Sequence, residues 1–523
     1  MVWCCSRACG EGTLVTRNLS VLLAGALSAL GFAPLDLWPL TLVALALLVA
    51  RVAHASSLRA AFGSGFFFGL GHFVAGLCWI PTAFTYQANM PAWLGWLAEV
   101  LLSAYVAVFP ALACGLAWRL ARRHEIGFVL VLAAAWMLVE WVRATLLTGF
   151  AWDPLGVMWL PLPAVARMGS WIGAYGLSSL TILVAGSLWL GVRWRWTVTV
   201  GGAVSLAAAL LWLGPVRVVP MGTSGIPFRI VQPNIGQAEK YSEDARNERL
   251  YATLSGKPGP VPRLLLWPEG ATLRFLELEP RSRAALAALL GPGDLLLLGS
   301  ESVTPGARPN DDIYHNSVFA LDSTGAIRWR YDKAHLVPFG EYLPARSILS
   351  RIGLSRLVPG ESDFIPGPGP RTFTLPGFTV GGAPVTVGVQ ICYEIVFSGH
   401  VIDESHRPSF VFNPSNDAWF GAWGPPQHLA QARMRAIEEG IPVIRATPNG
   451  ISALVDAHGV VISSLARQRG GVIDGFLPPA LPPTVFSRLG LWVCGLLGLL
   501  LGVVGLVLSG VRTKLVPQVA PLR

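Results

Sequence analysis

The sequence predicts two architectures in one chain: a multi-span α-helical membrane domain and an α/β domain lying between its spans. Three observations carry this. Of 523 residues, 53% are hydrophobic and only 13% charged, against about 25% charged in soluble domains. Apolar runs near the roughly 20 residues that cross a bilayer recur through the first part of the chain and once near its end. Between them the pattern changes to short β-type runs alternating with helical stretches, the signature of an α/β domain. The net charge of +9 does not point to nucleic acid, because the basic residues sit in short loops between apolar runs rather than in aromatic-studded clusters.

The apolar runs fall at 19–33, 38–50, 62–80, 92–118, 127–145, 171–191, 197–214 and 489–511. The first two are short, and "GFAPLDLWPL" between them reads as a proline-containing turn. "MVWCCSRACGEGTLVTRN" has no clear cleavage site, so the first run is expected to be a retained span rather than a signal peptide. Arg7, Arg17, Arg51, Arg59, Arg119, Arg122, Arg123, Arg193, Arg195, Arg512, Lys514 and Arg523 all lie on one set of alternate loops and ends. The other short loops hold almost no Lys or Arg, Arg167 excepted. The positive-inside rule therefore places both termini in the cytoplasm and the polar segment on the opposite face. The expected domains are 1–216 with about seven spans by the bilayer-length criterion, an extracytoplasmic 217–486, and a closing span with a tail at 487–523.

Within 217–486, "FRIVQPNI", "RLLLWPEG", "DLLLLGS", "HNSVFALD", "VTVGVQIC", "SFVFNPS", "PVIRAT" and "SALVDAHG" read as strands. "SRAALAALL" and "QHLAQARMRAIEEG" read as helices, and "PGESDFIPGPGP" as a surface loop. Three ionisable residues follow buried runs, where active sites of α/β folds tend to sit. They are Glu269 in "LLLWPEGA", Lys333 in "YDKAHLVPFGEYLP" and Cys392 in "GVQICYEIVF". A lone cysteine at a strand end is ordinarily a small core residue, and an isolated Glu or Lys a cap or a solvated charge. Together they suit acyl transfer. A thiol is mostly protonated at neutral pH and needs a base or a cation to act. Glu269 would take the proton, with burial expected to raise its carboxyl toward neutrality, and Lys333 would stabilise the thiolate and then an oxyanion. The histidines of the polar segment are scattered, without metal-ligand spacing. In the spans, Glu140 and Arg143 lie one turn apart, either as an intrahelical pair or as contacts to a headgroup or to the α/β domain. His72 is read as structural.

"WPEGA", "YDKAHLVPFGEY" and "ICYE" in this order resemble the nitrilase superfamily. "NPSNDAWFGAWGPPQH", "EWVRATLLTGFAW", "GLCWI", "VQPNIGQAEK" and "ARMRAIEEGIPVIRATPNGISALVD", with the flanking spans, narrow the likeness to the apolipoprotein N-acyltransferase family. The resemblance implies a nitrilase-like four-layer αββα sandwich on a multi-span base, with Glu269 as general base, Lys333 as oxyanion-stabilising cation and Cys392 as acylated nucleophile. Glu341, Tyr393 and Glu394 would support them, Trp419 and Phe420 would form an aromatic patch beside the pocket, and Tyr241 stands where the family often has Trp. It implies no cofactor and no metal. The partners would be a phospholipid acyl donor, attacked at sn-1 and typically phosphatidylethanolamine, and a diacylated apolipoprotein acceptor. The setting would be the bacterial cytoplasmic (inner) membrane with the catalytic domain on the periplasmic face, and the protein is expected to be a monomer. Two other readings compete: a membrane-tethered amidase in which water resolves the thioester, and a transporter or scaffold with a degenerate domain, which would have lost one of the three residues.

Overall fold

The computed structural model describes residues 5–86, 90–193, 225–242, 244–306, 312–357 and 362–510. Its N-terminal part is a bundle of six longer helices: α1 (Cys5–Ala29), α2 (Trp38–Ala53), α3 (Leu58–Gly76), α4 (Leu94–Ala121), α5 (Glu125–Thr145) and α6 (Gly169–Arg193). Small residues bring their backbones together, which suits a bilayer, where packing rather than apolar burial drives helix association. A Cβ on Gly71 of α3 would lie 2.0 Å from the Leu22 carbonyl oxygen of α1, and one on Gly65 would lie 2.6 Å from that of Pro110 in α4. Among the described residues, α4, α5, α6 up to Val192 and the C-terminal helix Trp492–Gly510 are long and apolar enough to cross a membrane. Leu58–Gly76 and Ile80–Tyr86, bent by 47°, add a fifth if they form one broken span. The 16 residues of α2 reach about 24 Å at helical rise, less than a bilayer core, and Leu45, Leu48, Val49 and Val52 are buried in the bundle. The apolar run 197–214 lies outside the described residues.

The α/β part holds two six-stranded sheets. The first contains β1 (Pro227–Gln232), β2 (Leu264–Leu266), β3 (Leu295–Thr304), β4 (Ile313–Asp322) and β5 (Ile327–Asp332). The second contains β6 (Thr372–Val380), β7 (Ala383–Val389), β8 (Phe410–Pro414), β9 (Val443–Ala446), β10 (Ser452–Val455) and β11 (Val461–Leu465). The last strand, β12 (Gly471–Phe476), returns to the edge of the first sheet. The orders are β12-β1-β2-β3-β4-β5 and β11-β10-β9-β8-β7-β6. The apolar strands read from the sequence are all present. β5, β6, β11 and β12 are additional: they are short or half-exposed, and their polar alternation looks like loop.

Alternation along the strands builds the layers. Leu264 and Leu266 join Val318, Val387, Phe410 and Phe412 in the core between the sheets. Leu265 points the other way and packs with Tyr251 and Leu290. Helices α7 (Asp244–Ser255) and α8 (Pro280–Ala287) cover that outer face. Strands buried on both faces need continuous apolar runs, which explains "LLLW" and "LLLLG". On the far side α9 (Gly424–Glu439) packs against β9 and against α6, so one helix of the sandwich is also its contact with the membrane bundle.

That contact is polar and specific. Gln427 on α9 accepts from the indole Nε1 of Trp79 at 3.1 Å and of Trp152 at 2.9 Å, and donates to the Gly76 carbonyl at 3.0 Å. Where α6 breaks at Gly173 (φ 65°), Glu438 accepts from the Ala174 N–H at 2.6 Å and from Ser398 at 2.8 Å. Replacing Gln427 by Leu strands two buried indole donors at about 1–3 kcal/mol each. Gln427→Leu is expected to lower the unfolding midpoint of the detergent-solubilised protein by several degrees; an unchanged midpoint would show that these bonds do not hold the two parts together.

Candidate active site

Strand ends bring the three chemistry-bearing residues to one place. Glu269 follows β2, Lys333 follows β5 and Cys392 follows β7, and all three are buried. Lys333 Nζ lies 2.9 Å from Glu341 Oε1 and 3.5 Å from Glu269 Oε1. Asn316, on β4, donates from Nδ2 to both carboxylates at 2.7 Å. Its carbonyl also accepts the Lys333 backbone N–H at 2.8 Å. The other oxygen of Glu341 accepts from Val337 N–H at 2.8 Å, which fixes that carboxylate on its own loop.

The electrostatics follow from this packing. Burial opposes ionisation of Glu269, but Lys333, Asn316, Lys240 and the Cys392 thiol outweigh it and hold the carboxyl below its ordinary value, the reverse of the rise toward neutrality expected from the sequence. Burial likewise opposes the Lys333 charge, and Glu341 and Glu269 overcome it, raising its pKa. Burial and the nearby Glu269 push the Cys392 thiol well up, against Lys333 and the Asn416 backbone N–H that faces the sulfur. The resting arrangement is a thiol hydrogen-bonded to a carboxylate, with a permanent cation alongside. A thiol in this state can become a nucleophile only by losing its proton, and Glu269 is the carboxylate placed to take it.

Cys392 opens a 3₁₀ turn (Cys392–Val396) with φ of +51°, a strained value for a non-glycine residue. Its neighbours hold that turn. Asn413 Nδ2 donates to the Gln390 carbonyl at 2.6 Å, and His428 Nε2 donates to that of Cys392 at 3.0 Å. Burial and Arg445 lower the His428 pKa, which favours the neutral ring. Nδ1 lies 3.0 Å from the Arg445 guanidinium and 3.1 Å from Asp417 Oδ1. Arg445 also pairs with the buried Asp417. Glu394 joins the lysine and cysteine loops. Its Oε1 accepts from Ala334 N–H (2.7 Å), His335 N–H (3.1 Å) and Tyr331 OH (2.9 Å), and its Oε2 from Ile391 N–H (2.7 Å). Burial pushes Glu394 up to about 7, against Lys333 and those backbone donors.

The remaining expected residues lie around this centre. Tyr393 is buried beside the nucleophile, but its hydroxyl points to the membrane bundle, 3.4 Å from the Gly149 carbonyl. His335 donates to the Thr148 carbonyl at 2.9 Å, so the 146–153 loop seats on residues flanking both Lys333 and Cys392. Phe420 packs among Trp79, Trp152 and His428 at centroid distances of 4.8–5.5 Å. Trp419 is half-buried and meets Tyr86 edge-on at 6.0 Å. Tyr241 is exposed, with Lys240 Nζ 5.4 Å from its ring. Glu140 and Arg143 form no mutual ion pair. Glu140 accepts from Trp136 and from the Leu155 N–H, both at 3.0 Å, and Arg143 lies over the Phe73 ring at 5.1 Å. His72 is buried and hydrogen-bonded to Ser28 at 2.7 Å. Sequence reading missed Asn316, Asn413, His428 and Arg445. The available signal was a buried-type strand carrying a polar residue, as in "HNSVFALD", "FVFNPS" and "PVIRAT". No group of three or more His, Cys, Asp or Glu suited to a metal occurs among the described residues.

Both oxygens of Glu394 accept from donors, and a Gln amide group would face one of them. Glu394→Gln is expected to keep the fold while lowering the unfolding midpoint by a few degrees, the cost of leaving one buried donor unmet at about 1–3 kcal/mol. A thermal melt of the detergent-solubilised protein measures it; a wild-type midpoint would remove Glu394 from the positioning network.

Comparisons with known proteins agree with this layout. Residues 24–188 match the model of the apolipoprotein N-acyltransferase N-terminal domain, and residues 230–480 match that of the carbon-nitrogen hydrolases. An apolipoprotein N-acyltransferase of Bradyrhizobium diazoefficiens is 37% identical over 503 residues, 91% of each chain. One from Rhodopseudomonas palustris is 36% identical, covering 91% of this chain and 92% of its own. One from Brucella melitensis is 35% identical, covering 95% and 96%. Among solved structures, an amidase from Nesterenkonia sp. AN1 aligns at 16% identity and a TM-score of 0.32, covering 48% of this chain and 93% of its own.

Proposed function

The chain belongs to the apolipoprotein N-acyltransferase family, and on that premise we propose that it moves an acyl chain from a phospholipid, through a thioester on Cys392, to the α-amino group of a diacylated apolipoprotein. The observation that carries the reading is the convergence of Glu269, Lys333 and Cys392 at adjoining strand ends, on a domain seated against membrane helices.

In the first half-reaction the Cys392 proton passes to Glu269 as sulfur attacks the sn-1 ester carbonyl, preferentially of phosphatidylethanolamine. Negative charge grows on the carbonyl oxygen beside Lys333, which is already charged and oriented by Glu341 and Asn316. The ester C–O bond breaks, Glu269 returns the proton to the departing alkoxide, and a lysophospholipid leaves. In the second half-reaction the free amine attacks the thioester, Glu269 takes an amine proton, and the C–S bond breaks. The proton returns to sulfur, and the product is an amide. Thioester reactivity drives the exchange, so no external energy source is needed. Both substrates keep acyl chains in the bilayer, which suits a domain held to the membrane bundle by Gln427, Glu438 and the 146–153 loop. The basic loops support placement in the inner membrane with this domain on the periplasmic face.

The purified protein, incubated with phosphatidylethanolamine and a diacylated lipopeptide bearing a free α-amine, should add one acyl mass to the peptide. Absence of that gain from folded protein would overturn the proposal. Cys392→Ser should leave neither transfer nor a hydroxylamine-labile adduct. Lys333→Ala should slow acylation by about 10²–10³-fold, as loss of an oxyanion donor does. The pH dependence has a definite sign. Glu269 must be unprotonated, and its carboxyl sits below the ordinary 4.5, so the acid limb of acylation should fall below that value. Lys333, raised above 10.5, stays charged on the alkaline side. Burial pushes Glu394 up to about 7, so the stopped-time assay is made in Glu394→Gln, which should give a flat profile from roughly pH 6 to 9; a limb centred near neutrality in that variant would assign the proton transfer to another group.

A further inference from the structure

Two lysines reach the site, and their surroundings differ. Lys333 is buried between two carboxylates. Lys240, on the short helix Gln237–Ser242, is half-buried, and its ammonium makes no hydrogen bond and no ion pair within 4 Å among the described residues. It lies over Gly270, the residue after Glu269, so closely that a Cβ there would come within 2.1 Å of Nζ. Gly270 also has φ of +57°; the glycine thus permits both the turn and the approach of the cation. Beside it opens a small pocket lined by Lys240, Gln237, Asn247, Glu269, Gly270 and Asn416. Gln237 and Asn416 are hydrogen-bonded to each other at 2.8 Å across its wall. The carboxylates within electrostatic range of Lys240 are Glu269 and Glu301. Neither reaches it in direct contact, so the ammonium keeps capacity for an incoming anion.

We propose that Lys240 receives the phosphate of the donor lipid and so favours acyl esters carrying an anionic phosphodiester over uncharged esters. This rests on the acyl-donor reading given above. A lysine ammonium is a compact point charge suited to phosphate, and here it borders a cavity that also contains the base serving the ester carbonyl. The same cation suits the second half-reaction. When the lysophospholipid leaves it takes the phosphate with it, and the uncovered Lys240 disfavours the ammonium form of the acceptor. The acceptor then reacts as the neutral amine that attack on a thioester requires.

The test compares acyl-thioester formation at Cys392 from phosphatidylethanolamine and from diacylglycerol with the same chains, in mixed micelles, for wild type, Lys240→Gln and Lys240→Arg. Lys240→Gln should lower kcat/KM with the phospholipid by about 10-fold more than with diacylglycerol, equivalent to about 1.4 kcal/mol. The loss should lie mainly in KM, and Lys240→Arg should restore most of it. Equal losses with both donors would mean that Lys240 acts through the charge of Glu269, and no loss would mean no contact; either overturns the proposal. If folded wild type forms no thioester from either ester, the acyl-donor reading itself fails.

Discussion

The buried ammonium of Lys333 is the constraint around which the α/β domain is arranged. A charge taken out of water is tolerated only when paired and hydrogen-bonded, and this one lies between Glu269 and Glu341, which Asn316 bridges. Those partners come from the end of β2, from β4 and from the loop after Lys333, while Lys333 itself follows β5, so the sheet must hold its register for the charges to balance. The arrangement also sets the chemistry. The cation keeps Glu269 ionised despite burial, and burial together with that carboxylate keeps the Cys392 thiol protonated.

A second layer of polar contacts holds Cys392. The left-handed backbone of Cys392 is over-determined by Asn413, His428 and Glu394, and the first two are fixed by Arg445 and Asp417. Arg445, Asp417 and His428 are all fully buried, so these groups must satisfy one another. The same region is where the membrane bundle docks. Trp152 and Phe420 pack on His428, while Tyr393 and His335 meet the 146–153 loop. Helix α9 links the parts physically, because one end carries Gln427 and His428 and the other carries Glu438 against the break in α6. The position of Cys392 and the docking of the α/β domain on the helical bundle are thus set by one contiguous set of contacts.

What the sequence determined by itself was whatever depends on local pattern. Apolar runs announced membrane helices, and continuous leucine runs announced strands buried on both faces. The density of ionisable residues just past those runs marked Glu269, Lys333 and Cys392, and the family motifs around them carried the fold as well. Other features became visible only with the tertiary structure, because they depend on distance between segments remote in the chain. Asn316 looks like an ordinary strand residue until β4 places it between two glutamates, and His428 looks scattered until α9 brings it under the Cys392 carbonyl. Glu140 and Arg143 invite pairing by their spacing, yet Glu140 spends its hydrogen bonds on Trp136 and the Leu155 backbone. Four half-exposed strands escaped notice because polar alternation does not distinguish an edge strand from a loop. Periodicity records which face of a segment is buried; only the folded chain decides which polar groups meet there, since each buried charge must find its partner across the core rather than along the sequence.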